Sequence, residues 1–247
     1  MSANVHNKLI TDGLIDCFDV GNNRSYISVD QKIESLSRSY KPQIAIATSG
    51  PMSINLPSSG FANLRNGTTF SEENKGVLNF DGMNDYVQLN TSVTLSHLTY
   101  SIWYKPSLVD TSYRTLGQTG SWSSTEFSCF FNSNVPGETL SLVTKSNNAR
   151  TDTPLPIIIN PNFYNTWHNA TFVVEPSKQS IYYNGQFCKS TTRTNDSDIT
   201  MTKLQIGNWM GYGYFGGKIG PTTLYNRALS DSEIKHNYNV LKSRFIS

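Results

Sequence analysis

The segment LTYSIWYKP, residues 98–106, alternates strictly. Leu98, Tyr100, Ile102 and Tyr104 fall on one face of an extended chain; Thr99, Ser101, Trp103 and Lys105 fall on the other. A period of two marks a strand whose two faces meet unlike surroundings. ATFVVEP repeats the pattern, with Ala170, Phe172 and Val174 opposing Thr171, Val173 and Glu175. In SIYYNGQF, residues 180–187, Asn184-Gly185 supplies the two positive-φ positions that a type I′ hairpin turn needs. Turn clusters at 21–23, 58–60, 66–69, 133–137 and 159–162 separate the remaining segments. Many short strands with regular turns specify an all-β fold, a two-sheet antiparallel sandwich or jelly roll.

Two stretches depart from this pattern. Residues 27–76 show little alternation and read as chain wandering across one sheet edge. Residues 144–166 carry Pro154, Pro156 and Pro161 and read as a long loop framing one short strand. The C-terminus holds the one convincing helix, over 230–245. Ser230-Asp231-Ser232-Glu233 is a capping box, in which serine caps a backbone N–H and glutamate reaches back. Ile234, Tyr238, Leu241 and Phe245 then recur at helical spacing as one apolar stripe, the mark of a helix docked on a sandwich. No repeat, linker or low-complexity tract interrupts the chain, so residues 1–247 read as a single domain with a polar N-terminal arm at 1–10.

Only 15% of the 247 residues are charged, against about 25% in globular chains, while 12% are aromatic. That balance is the reverse of a disordered chain. A net charge of +2 gives no field that would draw nucleic acid, and no apolar run reaches the roughly 20 residues of a membrane helix. The N-terminus lacks the basic-then-apolar plan of a secretory signal. Cys17, Cys129 and Cys188 are odd in number and unpatterned in spacing, so they form neither a disulfide framework nor a metal site. They read as core thiols of a protein made in a reducing cytoplasm, an expectation that leaves its working place open.

Five segments resemble one family. GLIDCFDVGNNRSY (13–26), LNFDGMNDYVQL (78–89), LTYSIWYKP, WHNATFVVEPSKQSIYYNGQF (167–187) and YFGGKIGPTTLYNRALSDSEIKHNY (214–238) are similar, in order and spacing, to laminin-G-like jelly rolls. Those belong to the concanavalin A-like lectin/glucanase superfamily. The unelaborated layout resembles versions found as virion structural proteins of tailed bacteriophages. The resemblance implies two sheets of six or seven strands with the first and last strands adjacent. It makes Phe80 and Trp103 packing residues, and has Arg227 folding back on the sheet or on a carboxylate such as Asp19.

Glucanases of the fold place paired acids on alternate residues of one strand, so that both face the sugar. The seven glutamates here (34, 72, 73, 126, 138, 175 and 233) include no such pair. The four histidines are scattered, and no nucleophile elbow, zinc motif or phosphate loop occurs. The chain therefore reads as a non-enzyme. Relatives often bind calcium at the sheet rim through Asp, Asn and carbonyl oxygens; Asp19, Asp81, Asn84 and Asp85 are the candidates. Against them, Gly220 stands where the family carries an acid, and Asn84 and Asp85 also suit a plain turn. For a ligand, Trp122, Trp209, Tyr212 and Tyr214 are the candidates, because aromatic residues among glycines give area at small entropic cost. The expectation is a structural or adhesive component of a phage virion. It would bind other virion subunits, copies of itself and host surface carbohydrate; a free lectin is the alternative and a glycan hydrolase the third reading.

Overall fold

Strands run through the chain in the order β1 (Leu14–Phe18), β2 (Ser53–Asn55), β3 (Phe61–Arg65), β4 (Thr69–Ser71), β5 (Val77–Asp81), β6 (Tyr86–Leu89), β7 (Val93–Leu95), β8 (Leu98–Pro106) and β9 (Tyr113–Thr119). They continue as β10 (Glu126–Asn132), β11 (Thr139–Ser146), β12 (Ala149–Pro156), β13 (His168–Val174), β14 (Lys178–Tyr183), β15 (Gln186–Thr192), β16 (Ile199–Met201), β17 (Leu204–Ile206) and β18 (Gly216–Tyr225). Helix α1 (Asp231–Phe245) ends the chain. This computed structural model describes residues 8–20, 53–55, 61–89, 92–107, 113–119, 126–132, 139–146, 149–156, 163–194, 197–209 and 211–246.

Two eight-stranded antiparallel sheets form the sandwich. The first runs β15-β14-β13-β8-β18-β5-β4, with β1 also on β18; the second runs β12-β11-β10-β9-β17-β6-β3-β2. Each is larger than the expected six or seven strands, and the first and last strands are neighbours as expected, Leu14 opposite Tyr225. The 27–76 stretch lies partly outside the described residues. What is described supplies β3 inside one sheet and edge strands on both, β2 on that sheet and β4 on the other.

Residues of one parity meet between the sheets. Tyr100 stacks on Phe172, meets Phe127 edge-on, and donates its hydroxyl to the Leu116 carbonyl at 2.8 Å. The polar hydroxyl is thereby satisfied in a fully buried site. The opposite parity of β8 is buried as well. Trp103 lies under Tyr238 at 5.5 Å and Phe245 at 4.7 Å, both near-parallel, and Trp167 joins them. Helix α1 thus closes a second apolar layer on the outer face of the first sheet. Gly220 belongs to this layer: a Cβ there would come within 3.0 Å of the Phe245 ring. An acid at that position would require the Phe245 ring to shift by a few tenths of an ångström.

The capping box forms as read, Ser230 Oγ accepting from Glu233 N and Glu233 accepting from Ser230 N at 2.9 Å. Arg227 folds back on carboxylates, as expected, but Asp19 is not one of them. It pairs with Glu233 at 2.6 Å and with Asp12 at 2.9 Å, while Asp19 is held by Arg244. The capped turn, lying next to Arg227 in sequence, offers the nearer carboxylate.

Residues 144–166 also differ from the reading as a long loop. Most of the first half is the β11–β12 hairpin, with Pro154 opposite Ser141 and Pro156 opposite Thr139. Proline is tolerated because β12 is a sheet edge, where a missing N–H leaves no partner unsatisfied. This edge meets the edge β15 of the other sheet through side chains: Lys189 Nζ donates to the Pro154 carbonyl at 2.7 Å and Thr194 N to Thr151 Oγ1 at 2.9 Å. Gln179, fully buried, spans the same seam. Its amide donates to Leu142 O, Thr151 O and Thr153 Oγ1 and accepts from Thr144 Oγ1. Of the three thiols only Cys129 is fully in the core; Cys17 is half-buried and Cys188 is exposed on β15. Of the expected arm, residues 8–10 are docked: Ile10 N donates to Asn237 Oδ1 at 2.9 Å, and the Lys8 carbonyl lies 2.8 Å from His236 Nε2.

Candidate functional site: an aromatic pole

At one end of the sandwich the β5–β6 turn, the start of β9 and the β17–β18 connection come together. Glycine shapes the last of these. Gly207, at φ +85°, lets the chain leave β17 against the Phe80 ring, where a Cβ would sit 2.8 Å from ring carbon. Trp209 and Tyr212 then pair as a two-stranded finger, N to O at 2.9 Å and 2.7 Å. Asn208 braces it by accepting from Gly211 N at 2.8 Å, and Thr115 N of β9 donates to the Gly213 carbonyl at 2.9 Å. Phe215 N donates to the Gly207 carbonyl at 3.0 Å, so the base of the connection is closed by a backbone bond while β9 holds its side.

Its rings stand on a platform. Trp209 lies 5.7 Å from Tyr113 and 6.5 Å from Phe130, near-parallel to the latter; Tyr113 meets Phe130 edge-on at 5.5 Å. Register explains the gathering, because Phe130 pairs with Thr115 on the face turned away from the core, where Tyr113 also points. Trp209 and Phe130 are half-buried, Tyr113 is 39% exposed and Tyr212 is 71% exposed. Met83 at the tip of the β5–β6 turn, whose Asp85 end lies against Gly207, is also 71% exposed. Tyr214 is half-buried, and Trp122 lies outside the described residues.

The β5–β6 turn is built by its own acids. Asp81 Oδ1 accepts from Met83 N at 2.7 Å and Asn84 N at 3.2 Å. Asp85, buried, accepts from Asp81 N at 2.9 Å and from Gly67 N of the neighbouring β3–β4 turn at 2.7 Å. Burial pushes the Asp85 carboxyl above its usual range, and the two amides pull it part of the way back. Asn66 Nδ2 donates to the Asn84 carbonyl at 2.6 Å, so the two turns are clasped.

A family profile for a laminin G-type domain, described as "Concanavalin A-like lectin/glucanases superfamily", matches residues 81–235. The chain belongs to the concanavalin A-like lectin/glucanase superfamily. A search of curated protein sequences matched none. Among solved structures, the binding domain of botulinum neurotoxin serotype G aligns at TM-score 0.65 with 13% identity, covering 78% of this chain and 49% of that one. The serotype D binding domain aligns at TM-score 0.62 with 12% identity, over 76% of this chain and 48% of that one. The binding domain of botulinum neurotoxin DC, solved in complex with rat synaptotagmin II, aligns at TM-score 0.63 with 14% identity, over 76% and 49%. The chain spans about half the length of these structures. At such identity the likeness is one of fold.

Superfamily members that hold calcium do so with an oxygen cage. The four candidates do not present one. Asp81 and Asp85 share a turn but point at backbone N–H groups, and Asp19 is committed to Arg244 in a different place. No group of three or more His, Cys, Asp or Glu among the described residues is arranged to hold a metal. Tyr113, Phe130 and Met83 are members of the pole that sequence reading missed. Nothing local marks them: each sits in an ordinary strand or turn, and only sheet register and loop packing bring them beside Trp209.

Proposed function

We propose that this protein is a non-enzymatic binding module, a structural or adhesive component of a tailed-phage virion. It uses the aromatic pole to contact other virion subunits and host surface carbohydrate. The observation that carries the reading is the braced finger, which holds Tyr212 exposed above the Trp209–Tyr113–Phe130 platform. Rigid aromatic area of this kind binds with little ordering cost. The non-enzymatic part is supported by the engaged glutamates: Glu73 with Lys105 and Lys218, Glu175 with Lys178, Glu233 with Arg227. The lectin-like fold supports binding; the virion setting rests on the sequence resemblance. Synthesis in the host cytoplasm and final residence on the particle go with that setting, and no resident cofactor is required.

Purified particles test the setting, and glycan or host-envelope binding tests the pole. The reading expects the chain in particles at fixed stoichiometry and loss of its contacts in Tyr212→Ala. Absence from particles refutes the virion setting. Release of reducing sugar from a host polysaccharide refutes the non-enzymatic reading.

A further inference from the structure

Three exposed large apolar side chains, Met83, Tyr113 and Tyr212, share the pole; the fourth among the described residues, Phe187, lies on β15 and packs edge-on against Tyr182. The described loops of the pole (66–68, 82–85, 113, 207–209 and 211–215) contain no lysine, arginine or glutamate. Their aspartate, Asp85, is buried on backbone amides; the Asp81 carboxylate just before it is exposed and accepts from the Met83 and Asn84 amides. Arg114, next to Tyr113, turns inward against the Phe131 and Tyr164 rings. Among the described residues the pole is thus aromatic, methionine-bearing and poor in charge, with the Asp81 carboxylate exposed, a composition close to that of an interface core.

From this we infer that the pole is a self-association surface, whose occupant is the same pole of a second copy of this chain. The inference rests on the reading of the pole as a contact surface and names its partner. A two-fold contact sets a patch against itself, so a patch of one charge sign repels its copy, whereas an uncharged one is complementary to itself. The chain's net charge of +2 adds little long-range repulsion. Methionine conforms to an irregular protein surface, and tyrosine and tryptophan are the residue types on which such contacts concentrate. The area sets the strength. A standard interface buries about 800 Å² per partner, and three exposed side chains flanked by two half-buried rings supply roughly half of that. The pairing is therefore weak in solution, and becomes effective where a particle holds many copies close together.

Sedimentation of the full chain from about 5 to about 300 µM tests this. The average mass should rise with concentration, and the rise should grow in ammonium sulfate, as apolar burial does. Met83→Lys and Tyr212→Lys should each weaken association about tenfold while far-ultraviolet circular dichroism stays unchanged. Phe187→Lys should leave it intact. A wild type that stays monomeric at the highest concentration overturns the inference. So does association lost in Phe187→Lys but kept in the pole variants, or association abolished by moderate salt. A monomer that still binds particles or glycans through Tyr212 refutes the self-pairing alone and leaves the proposed function standing.

Discussion

Arg244 Nη1 donates to both carboxylate oxygens of Asp19, at 2.9 Å and 2.7 Å, across 225 residues of chain. Its Nη2 donates to the Gly76 carbonyl at 2.6 Å and its Nε to the Asn74 carbonyl at 2.5 Å. One guanidinium therefore ties the end of α1 to the chain after β1 and to the turn before β5. A planar fork with several fixed donors suits three partners, Asp19, Asn74 and Gly76, at once. Arg244→Ala should cost about 3 kcal/mol in urea unfolding, the typical result of leaving a buried partner unpaired. Arg244→Lys should recover less than half.

Gln179 makes four hydrogen bonds across the seam between the two sheets, all of them buried. Gln179→Ala leaves two carbonyls and two hydroxyls without their partner. A loss of about 3 kcal/mol in stability is expected, with faster amide exchange in β11 and β12. Exchange confined to β15 would contradict the bridging role.

Two groups set opposite ends of the acid profile. The Arg227 guanidinium, aided by the Ser230 amide and hydroxyl, holds the Glu233 carboxyl at about 2. An unfolded glutamate titrates near about 4.3, so this contribution is intact above that pH and is lost as pH falls from about 4.3 toward 2. Burial lowers the His168 imidazole, which lies against Phe163 and shares a 2.6 Å hydrogen bond with Tyr183. The unfolded chain therefore takes up that proton first, and stability declines as pH drops below about 6.5. Denaturation midpoints from pH 7 to pH 3 should show both phases. Glu233→Gln should diminish only the lower one, which Glu73, held down by Lys218 and Lys105, shares, and His168→Gln should remove only the upper.

Calcium and chelator should leave the melting temperature of the wild type unchanged. Asp85→Asn should lower it equally in both, because one side-chain amide would face a backbone N–H that now meets an oxygen. A calcium-dependent rise that disappears in Asp85→Asn would establish a metal site at this turn.

Tyr212→Ala should alter stability by less than about 0.5 kcal/mol, since the side chain is mostly exposed. Trp209→Ala should cost about 2 kcal/mol, because Tyr113 and Phe130 lose the ring between them. Both should impair binding. If Tyr212→Ala unfolds the protein, the finger is part of the core and not a contact surface.

Local rules made much of this protein legible from residue order. Alternation in LTYSIWYKP, the Asn184-Gly185 turn and the Ser230–Glu233 capping box depend on neighbours two to four residues apart, and the turn and the box formed where read. Tertiary packing decided the rest. Trp103 sits on the polar parity of its strand and is buried because a helix more than a hundred residues later covers it. Asp19 reads in sequence as a calcium candidate or a partner for Arg227, and the fold instead pairs it with Arg244, 225 residues away. Trp209 and Tyr212 could be named from their glycine-rich setting, but Tyr113, Phe130 and Met83 could not. Their place on the pole follows from strand register and loop packing, which link residues far apart in sequence and leave no periodic trace in it.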